Sequence, residues 1–262
     1  MLAERPPHAD RERQVDWDQK EMPFTEHLRE LRNRLFICVV TIAALAVLAL
    51  WPASKLIPIL SGHYFPGIVL NAFGPADAIW AIFKLSLYIA IVLGLPVILF
   101  QIWMFVVPAV NPKTRRMVYW YVAPSLVLAA AGIAFAHYLV LPRVIQGLLH
   151  WTESVHAQAT FGIEATINLI LLLLLAFAIV FQTPVVMLLC ARIGLINSGL
   201  LRTYRKYIGF GMLVVGAVLA PDGSPLTMTL LAAPMYVLFE ISIWLIVFME
   251  KRWKREAAEA SV

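Results

Sequence analysis

The feature that most constrains this chain is a series of apolar runs long enough to cross a lipid bilayer. A hydrocarbon core of ~30 Å needs about 20 helical residues at ~1.5 Å each. Six such segments can be marked, at residues 35–51, 79–107, 117–141, 163–191, 207–220 and 226–249. The second, third, fourth and sixth clear the required length; the first is borderline and the fifth is short. Charged residues make up 14% of the chain. Soluble domains carry roughly 25%. Mean hydropathy is +0.80, too apolar for a surface that must face water. The chain therefore reads as an all-α integral membrane protein with six transmembrane helices.

Basic residues orient those spans. Residues 1–34, 108–116, 192–206 and 250–262 hold all but three of the 21 Lys and Arg residues. The three exceptions are Lys55, Lys84 and Arg143. By the positive-inside rule these four segments are cytoplasmic, and so are both termini. Five spans would put Lys251–Arg255 on the wrong side, which argues for counting the short fifth segment. The chain then divides into a polar extension at 1–21, expected to be disordered, a membrane domain at 22–250 and a charged tail at 251–262. The acid-rich N-terminus is neither a secretory signal nor a transit peptide.

Pro96, Pro124, Pro184 and Pro234 fall inside the runs. Each removes a backbone donor and favours a kink, so bent helices and a curved bundle are expected. Small residues spaced four apart at Ala130/Ala134, Gly132/Ala136 and Gly216/Ala220 suit close helix contacts. Residues 221–225, Pro-Asp-Gly-Ser-Pro, form a tight turn between segments five and six.

Motifs for metalloprotease, serine hydrolase, phosphate-loop and dinucleotide chemistry are absent. The histidines do not cluster at metal-ligand spacing, and no basic run suits nucleic acid. Neither enzyme activity, cofactor nor metal is expected. Cys38 and Cys190 lie in apolar runs and provide no disulfide framework.

Polar groups inside lipid carry more information, because they are costly without partners. Glu240, within segment six, is either a helix–helix bond or a polar point on an inward face. Gln182, before Thr183-Pro184, satisfies a carbonyl freed by Pro184 or meets a partner helix. Lys84 can snorkel to the outer end of its helix. Pro52, Asp77 and Asp222 fall in outer loops or turns, with structural or functional roles open to each.

The stretch from Pro23 to Leu35 is organised as an amphipathic helix. Thr25 is an expected N-cap. Phe24, Leu28, Leu31 and Leu35 share a stripe suited to the membrane surface. Glu30 stands four residues before Arg34, an ion-pair spacing. Glu26 lacks such a partner, and is either a first-turn acid favoured by the helix dipole or a carboxylate offered to a cation.

In this stretch the chain resembles the TatC family, the multispanning core of the twin-arginine protein translocase. The stretches Leu95–Ala109, Val214–Asp222 and Ala233–Glu240 carry the same resemblance. It implies a six-helix, cup-like receptor for exported folded proteins, driven by the proton-motive force. Twin-arginine signal peptides, TatA- and TatB-type single-span proteins and further copies in an oligomer are the implied partners, within a bacterial cytoplasmic membrane. Glu26, Arg29, Thr114, Arg115 and Arg116 would bind the signal, with Gln182 and Glu240 as intramembrane contacts. Thr114 and Gln182 stand where the family carries acids. Two other readings remain: a divergent paralogue with altered signal specificity, and a proton-coupled small-molecule transporter.

Overall fold

The computed structural model describes residues 24–106, 118–154, 160–192 and 194–259. These form α1 (Phe24–Tyr64), α2 (Asp77–Val106), α3 (Val118–Phe135), a π-helical turn (Ala136–Val140), α4 (Leu141–Ser154), α5 (Ile163–Val180), α6 (Thr183–Arg192), α7 (Ser198–Leu219) and α8 (Pro225–Glu259). The fold of the described residues is all-helical, and among them five stretches are long and apolar enough to cross a membrane: Leu28–Tyr64, Asp77–Phe105, Val122–Thr152, Ile163–Arg192 and Pro225–Trp253. Helix α7 is not among them. It has 22 residues, but its first half carries Arg202, Arg205 and Lys206.

Helix α1 corrects two expectations. It starts at Phe24, so Thr25 lies inside its first turn, and it runs 41 residues through Pro52 and Pro58. Pro52 is a helix residue and not a loop residue. Burial explains the continuation: Ala53 is fully buried, and Ile57 packs on Ala81, Leu85, Ile167 and Leu171 of α2 and α5. That packing outweighs the missing donor, as tertiary contacts often override propensity. At ~1.5 Å per residue α1 is about 60 Å long, twice the hydrocarbon core. Its opening is continuous with the span, and Leu28, Leu31 and Leu35 are exposed.

The third segment also runs further than expected, through the π-helical turn and into α4. The Leu141 N–H bonds to the Ala136 carbonyl, five residues back. This wider turn falls directly before Pro142, which has no N–H to donate. In α4, Leu141, Val144 and Ile145 are buried while Arg143, Gln146 and His150 face outward, a helical spacing of apolar positions.

Helix α1 packs on α2, α2 on α3 and α5, and α3 on α5; α8 packs on α6 and α7. The largest core cluster joins Phe65, Val140, Leu141, Val144, Ile170, Leu173, Phe177 and Leu231. The loop after α1 is pinned to the start of α5: Asn71 N–H donates to the Phe161 carbonyl at 2.8 Å, and Ile163 N–H to the Asn71 carbonyl at 2.9 Å.

Two of the small residues sit at close helix crossings. A Cβ on Gly132 would lie 2.5 Å from the Phe177 carbonyl oxygen, and one on Gly216 2.7 Å from that of Met228. Ala136 is fully buried, but Ala130 and Ala134 are exposed and make no such crossing. Because the opposing atom at Gly132 is backbone, Gly132→Ala should cost about 1–3 kcal/mol, the usual overpacking range. Its thermal midpoint in detergent should fall, whereas Gly211→Ala, with nothing within 4 Å of the added methyl, should not lower it.

Candidate functional site

At the opening of α1, Glu30 and Arg34 form the ion pair their spacing implies. Arg34 Nε donates to Glu30 Oε1 at 3.0 Å, and Arg34 Nη1 donates to Gln101 Oε1 of α2 at 3.1 Å. The pair thereby fastens α1 to α2. Only one oxygen of Glu30 is engaged; Oε2 is buried with no hydrogen-bond partner among the described residues. The spacing alone treated Glu30 as neutralised and pointed to Glu26. Arg29 is exposed beside it. Glu26 belongs to the first turn of α1, but its side chain lies outside the described residues, as do Thr114, Arg115 and Arg116.

Gln182 lies in the break between α5 and α6 and Thr183 opens α6, and they divide the roles expected of Gln182. Pro184 leaves the Val180 carbonyl without its helical donor, and Thr183 Oγ1 donates to it at 2.6 Å. Thr183, not Gln182, repairs the proline. Gln182 Nε2 instead donates to the Ser125 carbonyl of α3 at 2.9 Å. Its own carbonyl accepts from Val185 and Val186 and starts α6.

Glu240 and Lys84 both have partners on other helices. Arg205 Nε of α7 lies 2.6 Å from Glu240 Oε1 of α8 and donates to the Tyr236 hydroxyl at 2.8 Å. Lys84 Nζ of α2 pairs with Glu164 Oε1 of α5 at 2.6 Å, with both side chains about one-third exposed. Arg205, Tyr236 and Glu164 were not singled out in the sequence. The visible signal was only that Lys84 and Glu240 each stand nearly alone in an apolar run and need a complement.

Further along, Asp77 accepts from the Phe73 and Gly74 N–H groups at 2.9 and 2.8 Å, an acid at the start of α2. Asp222 Oδ2 accepts from Thr227 Oγ1 at 2.8 Å, and Oδ1 from the Ser224 N–H at 3.3 Å. Burial pushes the Asp222 carboxyl up, but these bonds outweigh it and hold the group below its usual value. His63 and His137, far apart in sequence, stack with ring centroids 5.1 Å apart, and the Tyr64 hydroxyl bonds His137 Nδ1. No group of three or more metal-ligating side chains occurs among the described residues.

Apolar spans joined by interhelical ion pairs, with polar groups gathered at the helix openings, define a multi-pass helical membrane protein. The family profile described as Sec-independent protein translocase protein (TatC) matches residues 26–234. The TatC protein of Aquifex aeolicus (strain VF5) is 34% identical over 229 residues, covering 86% of this chain and 94% of the relative. The chloroplastic TATC protein of Pisum sativum is 30% identical over 231 residues, covering 87% of this chain and 65% of the relative. A crystal structure of the twin arginine translocase receptor TatC superposes with a TM-score of 0.76 at 31% identity, over 85% of this chain and 98% of that one. The chain belongs to the TatC family of protein translocase components.

The direction of the Gln182 bond yields a test. The amide donates to a backbone carbonyl, which a carboxylate cannot do. In Gln182→Glu the carboxyl can keep the contact only while it is protonated. Stability should be present at low pH and fall as pH rises through that titration. Detergent melting temperatures from pH 4 to 8 should show the slope in Gln182→Glu and not in the parent. A pH-independent variant would mean that the amide bond does not hold α3 to α5.

Proposed function

We propose that this chain is the signal-receiving core subunit of a twin-arginine translocase in a bacterial cytoplasmic membrane. In this reading it has six spans in a cup-like arrangement, with α7 as the short fifth, and both termini are cytoplasmic. The basic segments support that orientation. TatA- and TatB-type single-span proteins are its partners in a larger assembly, and the proton-motive force drives transport.

The single observation that carries the reading is the half-used carboxylate of Glu30. A buried carboxylate oxygen without a donor is costly, and a guanidinium group, which donates in a planar fork, would satisfy it on reaching this end of α1. Glu26 lies one turn earlier on α1, and Arg29, Thr114, Arg115 and Arg116 complete the proposed surface. The related crystal structure bears the description of a twin arginine translocase receptor, in line with this role.

The transporter alternative drew on Glu240, Gln182 and Lys84 as isolated polar groups. Each has a partner on another helix, which accounts for them as ties between spans. The altered-specificity reading keeps one support, the use of Gln182 as a donor where an ionised acid could not serve. Full rescue of ordinary twin-arginine export in a strain lacking its own TatC would count against it.

A purified twin-arginine signal peptide should bind the detergent-solubilised protein about tenfold tighter than its twin-lysine form, the worth of one charge-assisted hydrogen bond. Glu30→Gln should erase most of that ratio, and Glu26→Ala should reduce it. Arg34→Gln, which releases Glu30 Oε1, should leave the preference in place. Equal affinity for the two peptides would overturn the proposal.

A further inference from the structure

At the end of the bundle far from Glu30, an open groove of about 720 Å³ lies between α4 and the α7–α8 turn. Two candidate spans, Val122–Thr152 and Pro225–Trp253, meet there, so the groove sits where a helix leaves the hydrocarbon. Its titratable lining residues are Arg143, His150 and Asp222. Pro225, Leu226, Leu230 and Ala233 give it an apolar lining, with Leu226 82% exposed.

The chemistry of the lining carries both signs. Arg143 Nη1 donates to the Leu139 carbonyl in the π-helical turn at 3.0 Å, which anchors the guanidinium and leaves Nε and Nη2 as further donors. Asp222 accepts one hydrogen bond on each oxygen inside its own turn. A carboxylate has about four acceptor sites, so both oxygens can accept again. Trp151, 60% exposed, is the amphipathic ring type that gathers at the headgroup level. A groove with one fixed cation, one fixed anion, an interfacial tryptophan and an adjoining apolar wall matches a phospholipid whose headgroup also carries both signs.

We propose that this groove binds the headgroup of a zwitterionic phospholipid with a primary ammonium, the ethanolamine class, with its phosphate on Arg143 and its ammonium on Asp222. Its acyl chains lie along Leu226 and Leu230. An anionic headgroup without the ammonium meets repulsion from Asp222. A choline headgroup brings no N–H to donate to that carboxylate. The inference needs only that the chain spans a membrane, so it stands or falls separately from signal recognition.

Gly147 offers a way to fill the groove without disturbing the helix. It lines the groove, and a Cβ added there meets nothing within 4 Å. The experiment is native mass spectrometry of the purified full chain in detergent. The protein is exposed to equal amounts of phosphatidylethanolamine, phosphatidylcholine and phosphatidylglycerol of matched chains. The parent should retain phosphatidylethanolamine over the other two by about tenfold, one charge-assisted hydrogen bond. Arg143→Gln should lower its retention by a similar factor. Asp222→Asn should bring ethanolamine and choline lipids close to parity. Gly147→Leu should reduce retention of all three while keeping the lipid-free melting temperature. Equal retention of the three lipids by the parent, or retention unchanged in both Arg143→Gln and Gly147→Leu, would overturn the proposal.

Discussion

Inside a bilayer no solvent completes a hydrogen bond, so every backbone N–H and C=O must find a partner within the protein. The placement of this chain's breaks follows from that demand. Where Pro184 withdraws a donor, the Thr183 hydroxyl replaces it at the Val180 carbonyl. Where Pro142 has no donor to offer, the turn just before it has widened to a five-residue repeat. The first break lets α6 leave the line of α5 and pack on α8, while α5 stays with α2 and α3. A single unbroken helix at 163–191 would have to serve both groups of neighbours with one straight axis.

Charge obeys the same demand in a stronger form. Lys84 and Glu164 are 80 residues apart in sequence and 2.6 Å apart in space; Arg205 and Glu240 join α7 to α8 in the same way. Neither pair lies within one helix, so each can be satisfied only if two helices are side by side. An unpaired member would face lipid at considerable cost. These contacts therefore act on arrangement as much as on stability. The close crossings at Gly132 and Gly216 add what the charges cannot, a depth of approach set by backbone against backbone.

The sequence displayed the parts of this fold that depend on neighbours three or four residues apart, and little else. The apolar runs marked the helices, the Glu30–Arg34 spacing marked an ion pair, and residues 221–225 marked a turn. Helix faces were unreadable, because a helix surrounded by lipid is apolar on both its packed and its free sides. The leucines of the α1 opening made a stripe suited to the membrane surface and lie exposed, but nothing in their spacing told that the Glu30–Arg34 face meets α2. Pro52 read as the end of a span because a proline's cost is local and visible, whereas the burial of Ala53 and Ile57 that outweighs it depends on α2 and α5. The partners of Lys84, Gln182 and Glu240 were hidden for the same reason: each lies on a different helix.

The two ends of the bundle differ in kind, and α1 makes the difference possible. Its opening stands on the same continuous rod as Tyr64, which is buried against the far end, so the carboxylates there are held at a fixed distance from the core. At that opening one carboxylate oxygen has no donor among the described residues. At the opposite end Asp222 has its hydrogen bonds supplied by its own turn, and Arg143 is tied to the π-helical turn. An unsatisfied acceptor invites a ligand that brings its own cation, whereas a satisfied acid beside an anchored cation suits a ligand neutral overall. A helical bundle with those unlike ends has a direction in the membrane before any partner binds.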